Sequence, residues 1–241
     1  MRFFPKATLV FTFIAFAFFI SFLHSCKKDE VVIANTDHYR DFYRVDIGYW
    51  VDYEVDSIVH YDTDDALLVD NDKFNYHFYI REQIDSAFID GEGDTAYVVS
   101  RYKRTSTSLP WSFESLWTSK LTPTSLQRVE DNRRYVRLTF PFNPINKWNG
   151  NAFNELPAEE YSYEEVYSPA SYSSLNFDST VTVNQNEFVS AINRIIRKEI
   201  YGNHVGLLFK QADSIGVAYT SFGPVILSGL EYEQTVIDYK R

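Results

Sequence analysis

Hydrophobic and polar residues alternate with a period of two along most of the chain. Phe74, Tyr76, Phe78 and Ile80 alternate with more polar neighbours, as in a strand with one buried face. Other strand-like runs, separated by turn residues, lie at 94–102, 136–140, 161–167, 177–183, 205–210, 216–222 and 226–239. The pattern predicts a mainly β fold of about ten antiparallel strands, as a curled sheet or open barrel or as a sandwich, with at most one or two short helices.

The segment from Glu187 to Tyr201 has two interpretations. Its apolar residues recur at helical spacing, Asn186 is a suitable N-cap, and Gly202 is suited to the position after the last helical turn. A continuation of the strand pattern is the alternative. The residues of this segment alone leave helix and strand open.

Composition excludes several classes of function. The 241 residues include 33 acidic and 23 basic ones, a net charge of −10, and such a chain repels nucleic-acid phosphates. The single cysteine rules out an internal disulfide and a thiolate metal cluster. The sequence has no nucleophile elbow, phosphate loop, two-histidine zinc pattern or dinucleotide fingerprint. We therefore predict no nucleic-acid binding, no cofactor, no metal and no enzymatic activity.

Acidic clusters are the first feature that invites a chemical interpretation. Asp90, Glu92 and Asp94 place three carboxylates at alternate positions, and carboxylate oxygens bind calcium. The rest of a calcium loop is missing, so we interpret the cluster as an acidic hairpin tip. His60 and the nearby Asp62, Asp64 and Asp65 could be imagined to hold a metal, but we interpret 62–65, and likewise 70–72, as solvated loops.

Aromatic residues are the second such feature. Trp111, Trp117 and Trp148 are possible ligand contacts, for example as stacking platforms for a glycan. Trp and Tyr also serve strands as large, half-buried packing units, and this is the favoured interpretation. Trp148 is the best exception, because the neighbouring Asn149-Gly150 is typical of a tight turn that would hold the ring at a loop tip.

The first 25 residues have the layout of a secretory signal peptide. Arg2 and Lys6 precede an apolar stretch from Ala7 to Leu23, which is a little short for a transmembrane helix. Leu23-His24-Ser25-Cys26 resembles the bacterial lipobox. That resemblance implies that Cys26, the only cysteine, becomes the mature N-terminus and carries a thioether-linked diacylglycerol. Loss of Arg2 and Lys6 would change the net charge from −10 to −12.

The residues after Cys26 resemble the export signal of surface lipoproteins in the Bacteroidetes. The matching positions are Lys28, Asp29 and Glu30. The resemblance implies an outward-facing protein of the outer membrane; a periplasm-facing lipoprotein with a solvated tether is the alternative.

Segments 140–141, 148–151, 177–183 and 199–210 are similar to segments of uncharacterised Bacteroidetes lipoproteins. This likeness implies a β-hairpin over 192–210 that turns near Gly202-Asn203.

We divide the chain into a signal peptide (1–25), a tether (26–37) and one β-rich domain (38–241). The predicted function is that of a non-enzymatic, lipid-anchored binding protein of the cell envelope. Its partners would be the membrane, through Cys26, and an apolar ligand, a glycan or an envelope protein. In architecture it is distantly similar to open-barrel lipoprotein carriers, whose curled sheet holds an acyl chain. The alternatives are an envelope hydrolase acting on glycans and an accessory subunit without a ligand of its own.

Overall fold

The computed structural model describes residues 37–61, 73–221 and 223–241. Cys26, Lys28, Asp29 and Glu30 lie outside the described residues, as do the acidic positions within 62–72. One short helix, α1 (Asp37–Arg40), precedes the strands. The strands are β1 (Trp50–His60), β2 (Lys73–Ile89), β3 (Thr95–Arg104), β4 (Ser112–Leu121), β5 (Ser125–Glu130), β6 (Arg133–Thr139), β7 (Lys147–Asn149), β8 (Glu160–Tyr172), β9 (Leu175–Val189), β10 (Asn193–Gly202), β11 (Gly206–Thr220) and β12 (Gly223–Tyr239).

All 12 strands form one antiparallel sheet in the order β6-β5-β4-β3-β2-β1-β12-β11-β10-β9-β8-β7. Consecutive strands pair everywhere except between β6 and β7, and β1 pairs with β12 instead. The first and last strands therefore lie at the centre of the sheet, and β6 and β7 form its edges. The mainly β, antiparallel prediction is confirmed, in the form of a curled sheet rather than a sandwich.

The sheet curls until its two edges meet across a narrow seam. The Val136 amide donates to the Gly150 carbonyl at 2.9 Å, and the Trp148 indole donates to the Val136 carbonyl at 3.0 Å. Glycine is required at position 150, because a Cβ atom there would lie 2.2 Å from the Tyr161 ring. These hydrogen bonds use backbone N–H and C=O groups of the two edge strands that could otherwise pair with another chain. The sheet therefore forms a nearly closed barrel.

One end of the barrel, called here the upper end, is closed by the segment between α1 and β1. Phe42 is fully buried there, with its ring 4.9 Å from that of Phe142. The Tyr49 hydroxyl donates to the Val205 carbonyl at 2.9 Å, and the His204 amide donates to the Asp41 carbonyl at 2.7 Å. The lower end carries the turns between β9 and β10 and between β11 and β12.

In the segment from Glu187 to Tyr201, residues 187–189 end β9, residues 190–192 connect the two strands, and residues 193–201 belong to β10, so the helical interpretation is wrong. β10 and β11 pair as a hairpin around residues 203–205, where the resemblance had placed it. Ile195 and Ile196, which suggested a helical face, lie on opposite faces of β10. The two runs predicted at 205–210 and 216–222 are parts of one strand, β11.

Candidate functional site

The lower half of the barrel interior is the candidate site, and strand register identifies the side chains that line it. Val55 of β1 is fully buried, so residues at even distances from it along β1 share its inward face. Ser57 and Val59 are two such residues, and they pair with Tyr76 and Phe74 of β2. These four side chains therefore face the interior below Val55.

The same register continues across four more strands. Val59 pairs with Leu230, and from there the pairing runs through Ser214 and Ile195 to Phe188. We call the complete set the mouth row; its members are Phe74, Val59, Leu230, Ser214, Ile195 and Phe188.

The mouth row is apolar at five of its six positions, yet solvent reaches it. Phe74 is 52% exposed, Phe188 51% and Leu230 39%. The Tyr61 ring lies against Phe74 with ring centroids 5.3 Å apart. Half-exposed rings on the inner face of a sheet indicate that no element among the described residues covers the lower end of the barrel.

Above the mouth row lies a layer of buried or partly buried charged residues, called here the charged belt. It consists of Glu82, Arg101, Arg128, Glu130, Arg137, Glu199 and Lys210. Arg128 donates to Glu82 at 2.9 Å, and the Arg101 guanidinium lies 3.2 Å from the same carboxylate. Arg101 also covers the Trp117 ring at 3.8 Å from its centroid. This part of the belt joins β2, β3 and β5.

The other part of the belt joins β5, β6, β10 and β11 around Arg137. Arg137 donates two hydrogen bonds to Glu130, at 3.2 and 2.7 Å, and its Nη1 atom lies 3.4 Å from Glu199. The Lys210 ammonium is 3.5 Å from Glu199 and 3.9 Å from Glu130. The Tyr201 hydroxyl donates to Glu199 at 2.6 Å. Glu199 is thus shared between two cations, and Glu130 between three, since the Nε atom of Arg128 also lies 3.6 Å from it.

Electrostatics keep these carboxylates ionised. Burial alone would raise the pKa of Glu130, but Arg137, Lys210 and Arg128 outweigh burial, and the pKa is lowered. The pKa of Glu199 is also lowered, because Arg137 and Lys210 outweigh the effect of its burial. A general acid must carry its proton near the working pH. This pair is therefore suited to stabilising the belt and not to donating a proton.

The three predicted tryptophan contacts lie in three different places. Trp117 is buried inside the barrel beneath Arg101. Trp111 lies outside the charged belt, with the guanidinium groups of Arg104 and Arg81 at 4.1 and 5.0 Å from its ring centroid. Trp148 lies in β7 and seals the seam, rather than standing at a loop tip.

The acidic hairpin between β2 and β3 surrounds a cation supplied by the chain itself. The Lys120 ammonium lies 2.7 Å from Asp90 and 3.1 Å from Asp94, and it also contacts Glu92. The hydrogen bond from Lys120 lowers the pKa of Asp90 to about 2. An ammonium group thus occupies the position between the three carboxylates at which a metal ion would bind.

None of the belt residues was predicted from the sequence to belong to a site. A charged residue at an inward position of an otherwise apolar strand, such as Glu82 between Ile80 and Ile84, could have indicated a buried ion pair. That signal depends on knowing the inward face of each strand. For the short strand β5, which carries Arg128 and Glu130, the sequence pattern predicted no strand at all.

Comparison with known proteins adds no functional assignment. No family model matches the chain, and no curated protein sequence matches it. Among the described residues, no helix combines the length and the apolar character that crossing a membrane requires. Function is therefore inferred from the geometry of the barrel interior.

Proposed function

We propose that this protein is a non-enzymatic binding protein of the cell envelope that takes an apolar ligand into the lower mouth of its barrel. The observation that carries this proposal is the half-exposed mouth row. Removing apolar surface from water is favourable by roughly 25 cal/mol per Å². A ligand chain lying against Phe74, Phe188 and Leu230 would cover surface that the fold itself leaves in water.

The size of the barrel supports this proposal. A barrel of about eight strands is just filled by its own side chains, and the interior widens as the strand number increases. This sheet has 12 strands; side chains at its upper end such as Tyr53 and Leu208 are buried, whereas Phe74 and Phe188 of the mouth row are about half exposed. We therefore place the ligand at the lower end.

We propose further that lipid on Cys26 anchors the protein to the outer membrane, with Lys28, Asp29 and Glu30 directing it to the cell surface. Stable anchoring requires two or more acyl chains, which a diacylglycerol-modified cysteine provides. The lipobox-like residues before Cys26 support the proposal. Mass spectrometry of the N-terminal peptide tests it: a diacylglycerol mass on Cys26 is expected, and an unmodified or uncleaved N-terminus would contradict it.

Two features argue against the hydrolase alternative. Glycosidases pair a protonated carboxyl group with a second carboxylate, whereas Glu130 and Glu199 are both held ionised by Arg137 and Lys210. Trp111, an obvious stacking platform for a sugar, has guanidinium groups over its ring. A binding role fits these groups better than glycan hydrolysis.

Native mass spectrometry of the full chain, purified from its own envelope, tests the binding role. We expect a copurified apolar molecule in the wild type and in Ile196→Asn, and its loss in Ile195→Asn. The two positions are adjacent on β10, but Ile195 faces the interior and Ile196 the outer surface. Equal ligand occupancy in the two variants, or an empty wild-type protein, would contradict the proposal and favour an accessory subunit.

A further inference from the structure

We infer that the ligand is an anionic amphiphile of the long-chain carboxylate class, whose chain lies along the mouth row and whose head group is bound above it by Gln234, Arg101 and Tyr232. This inference rests on the proposed binding function and deepens it by naming the ligand class.

Charge balance in the belt is the first argument. Its cations are Arg101, Arg128, Arg137 and Lys210, and its carboxylates are Glu82, Glu130 and Glu199, which leaves one positive charge in excess. The chain as a whole has a net charge of −10. An uncompensated buried charge is costly. One bound anion would balance the belt.

Unpaired donors are the second argument. Gln234 is 2% exposed, and its Nε2 atom has no hydrogen-bond partner. The Nε atoms of Arg101 and Arg128 are also buried; they lie 3.2 Å from Glu82 and 3.6 Å from Glu130 but make no hydrogen bond. All three are N–H groups that could donate a hydrogen bond to a better placed acceptor. A carboxylate supplies acceptor oxygens only.

Gln234 is also correctly oriented for this role. Its Oε1 atom accepts a hydrogen bond from the Tyr232 hydroxyl at 2.7 Å, so the amide oxygen is engaged and the amide nitrogen is left for a ligand. Tyr232 pairs with Ser57, and Arg101 pairs with Glu82, so both side chains face the barrel interior. Burial raises the pKa of Tyr232, so its hydroxyl keeps its proton and can donate a hydrogen bond.

The spacing between head-group site and mouth suits a long chain. Gln234 pairs with Val55, and Leu230 of the mouth row pairs with Val59, four residues further along β1. Four residues of a strand correspond to roughly 13 Å. Tyr76 and Phe78 of β2 line the interval on the inner face. A chain bound here would contact aromatic rings from the head group to the opening.

A cation also stands beside this path. Lys103 pairs with Ile80 and therefore faces inward, with its ammonium 4.0 Å from the Phe78 ring centroid. Its carboxylate partner, Glu114, is 3.9 Å away, and both side chains are 39% exposed. Because it is solvent-accessible and loosely paired, Lys103 can attract an anion before the head group reaches Gln234.

Calorimetric titration of the full chain in lipid nanodiscs tests the inference, with empty nanodiscs as the blank. The probes are laurate, dodecanol and dodecylamine, which share one chain length and differ in head group. We expect laurate to bind about tenfold more tightly than dodecanol, as one charge-assisted hydrogen bond provides, and dodecylamine to bind most weakly.

Gln234→Leu should remove most of the preference for laurate and leave the affinity for dodecanol unchanged. Gln127→Leu is the matched control, because Gln127 is also buried but lies between the inward-facing Leu126 and Arg128 and so faces the opposite way. If Gln234→Leu fails to fold, Lys103→Gln, at an exposed position, should lower laurate affinity without affecting dodecanol.

The outcomes separate this inference from the proposed function. Equal affinities for laurate and dodecanol would mean that water, and not a carboxylate, accepts the hydrogen bonds of the buried N–H groups. The inference of an anionic ligand would then be wrong, while the proposed binding of an apolar ligand would be unaffected. Tightest binding of dodecylamine would also overturn the inference. Binding of none of the three probes would contradict the binding role itself.

Discussion

The two ends of the barrel interior have the same alternation of inward and outward side chains but very different exposure. At the upper end, Tyr53, Leu208 and Val236 are completely or almost completely buried. At the lower end, Phe74 and Phe188 occupy equivalent inward positions and are about half exposed. The difference lies in what covers them: the segment after α1 crosses the upper end, and within the described residues no element crosses the lower one.

This comparison shows that facing inward and being buried are separate properties. Strand register decides which way a side chain points, and tertiary covering decides whether water reaches it. The charged belt lies between the two ends, and five of its seven side chains are buried.

Breaking the belt should destabilise the protein most. Arg137→Met leaves Glu130 and Glu199 without their shared guanidinium, and removing one partner of a buried ion pair costs about 3–5 kcal/mol. Arg197→Met removes a more exposed guanidinium that pairs with Glu159, and we expect a loss of about 1 kcal/mol or less. Urea unfolding measures both, and equal losses would refute the belt's structural role.

Replacing one leucine at each end of the barrel allows the contributions of the two ends to stability to be compared. Leu208 is fully buried at the upper end, so Leu208→Ala should cost about 2–5 kcal/mol of unfolding free energy. Leu230→Ala removes a side chain that is 39% exposed, and we expect a loss of only about 1 kcal/mol. The same Leu230 variant should bind the apolar ligand more weakly. A large stability loss in Leu230→Ala would mean that the mouth is part of the packed core.

Acid should weaken the belt. The pKa values of Glu130 and Glu199 are lowered in the folded protein, so below the ordinary glutamate pKa of about 4.3 the unfolded chain binds more protons. The stability they contribute is complete above that pH and is lost as the pH falls. We expect the urea midpoint to decrease from pH 5 to pH 3, with a shallower decrease in Glu130→Gln. Glu160→Gln, at a largely exposed position, should retain the wild-type slope.

The smallest effect concerns the acidic hairpin at the upper end. Lys120→Met leaves the three carboxylates of Asp90, Glu92 and Asp94 without their shared ammonium, within a distance that suits one cation. Calcium should therefore raise the melting temperature of this variant and not that of the wild type. Lys147→Met, which removes the partner of one exposed carboxylate, is the control. A calcium response in the wild type would show that Lys120 does not fill the site.

The sequence pattern located β2, β6, β8 and β9, although the structure extends them. β1 alternates just as clearly, with Val51, Tyr53 and Val55 between acidic residues, and was nevertheless not among the predicted strands. β7 has only three residues, too few for a pattern. Residues 187–201 were ambiguous because Ile195 and Ile196 are both apolar, one lining the mouth row and the other facing outward.

The candidate site could not have been assembled from the sequence. Arg128, Glu82 and Arg101 come from three strands, and Arg137, Glu199 and Lys210 from three others. Their charges compensate one another only after the sheet has curled. In the sequence, nothing distinguishes these six residues from the other charged residues of the chain.

Alternation is a local property, so the sequence is enough to predict that this chain forms antiparallel strands with one apolar face. The signal peptide over residues 1–25 and the lack of nucleic-acid binding were also predicted from the sequence, and both stay predictions. The pairing of β1 with β12, the meeting of the edges at Trp148 and the different covering of the two ends, as the described residues show it, became known from the tertiary structure alone. These features depend on contacts between residues far apart in the chain, where a local pattern carries no information about which strands become neighbours.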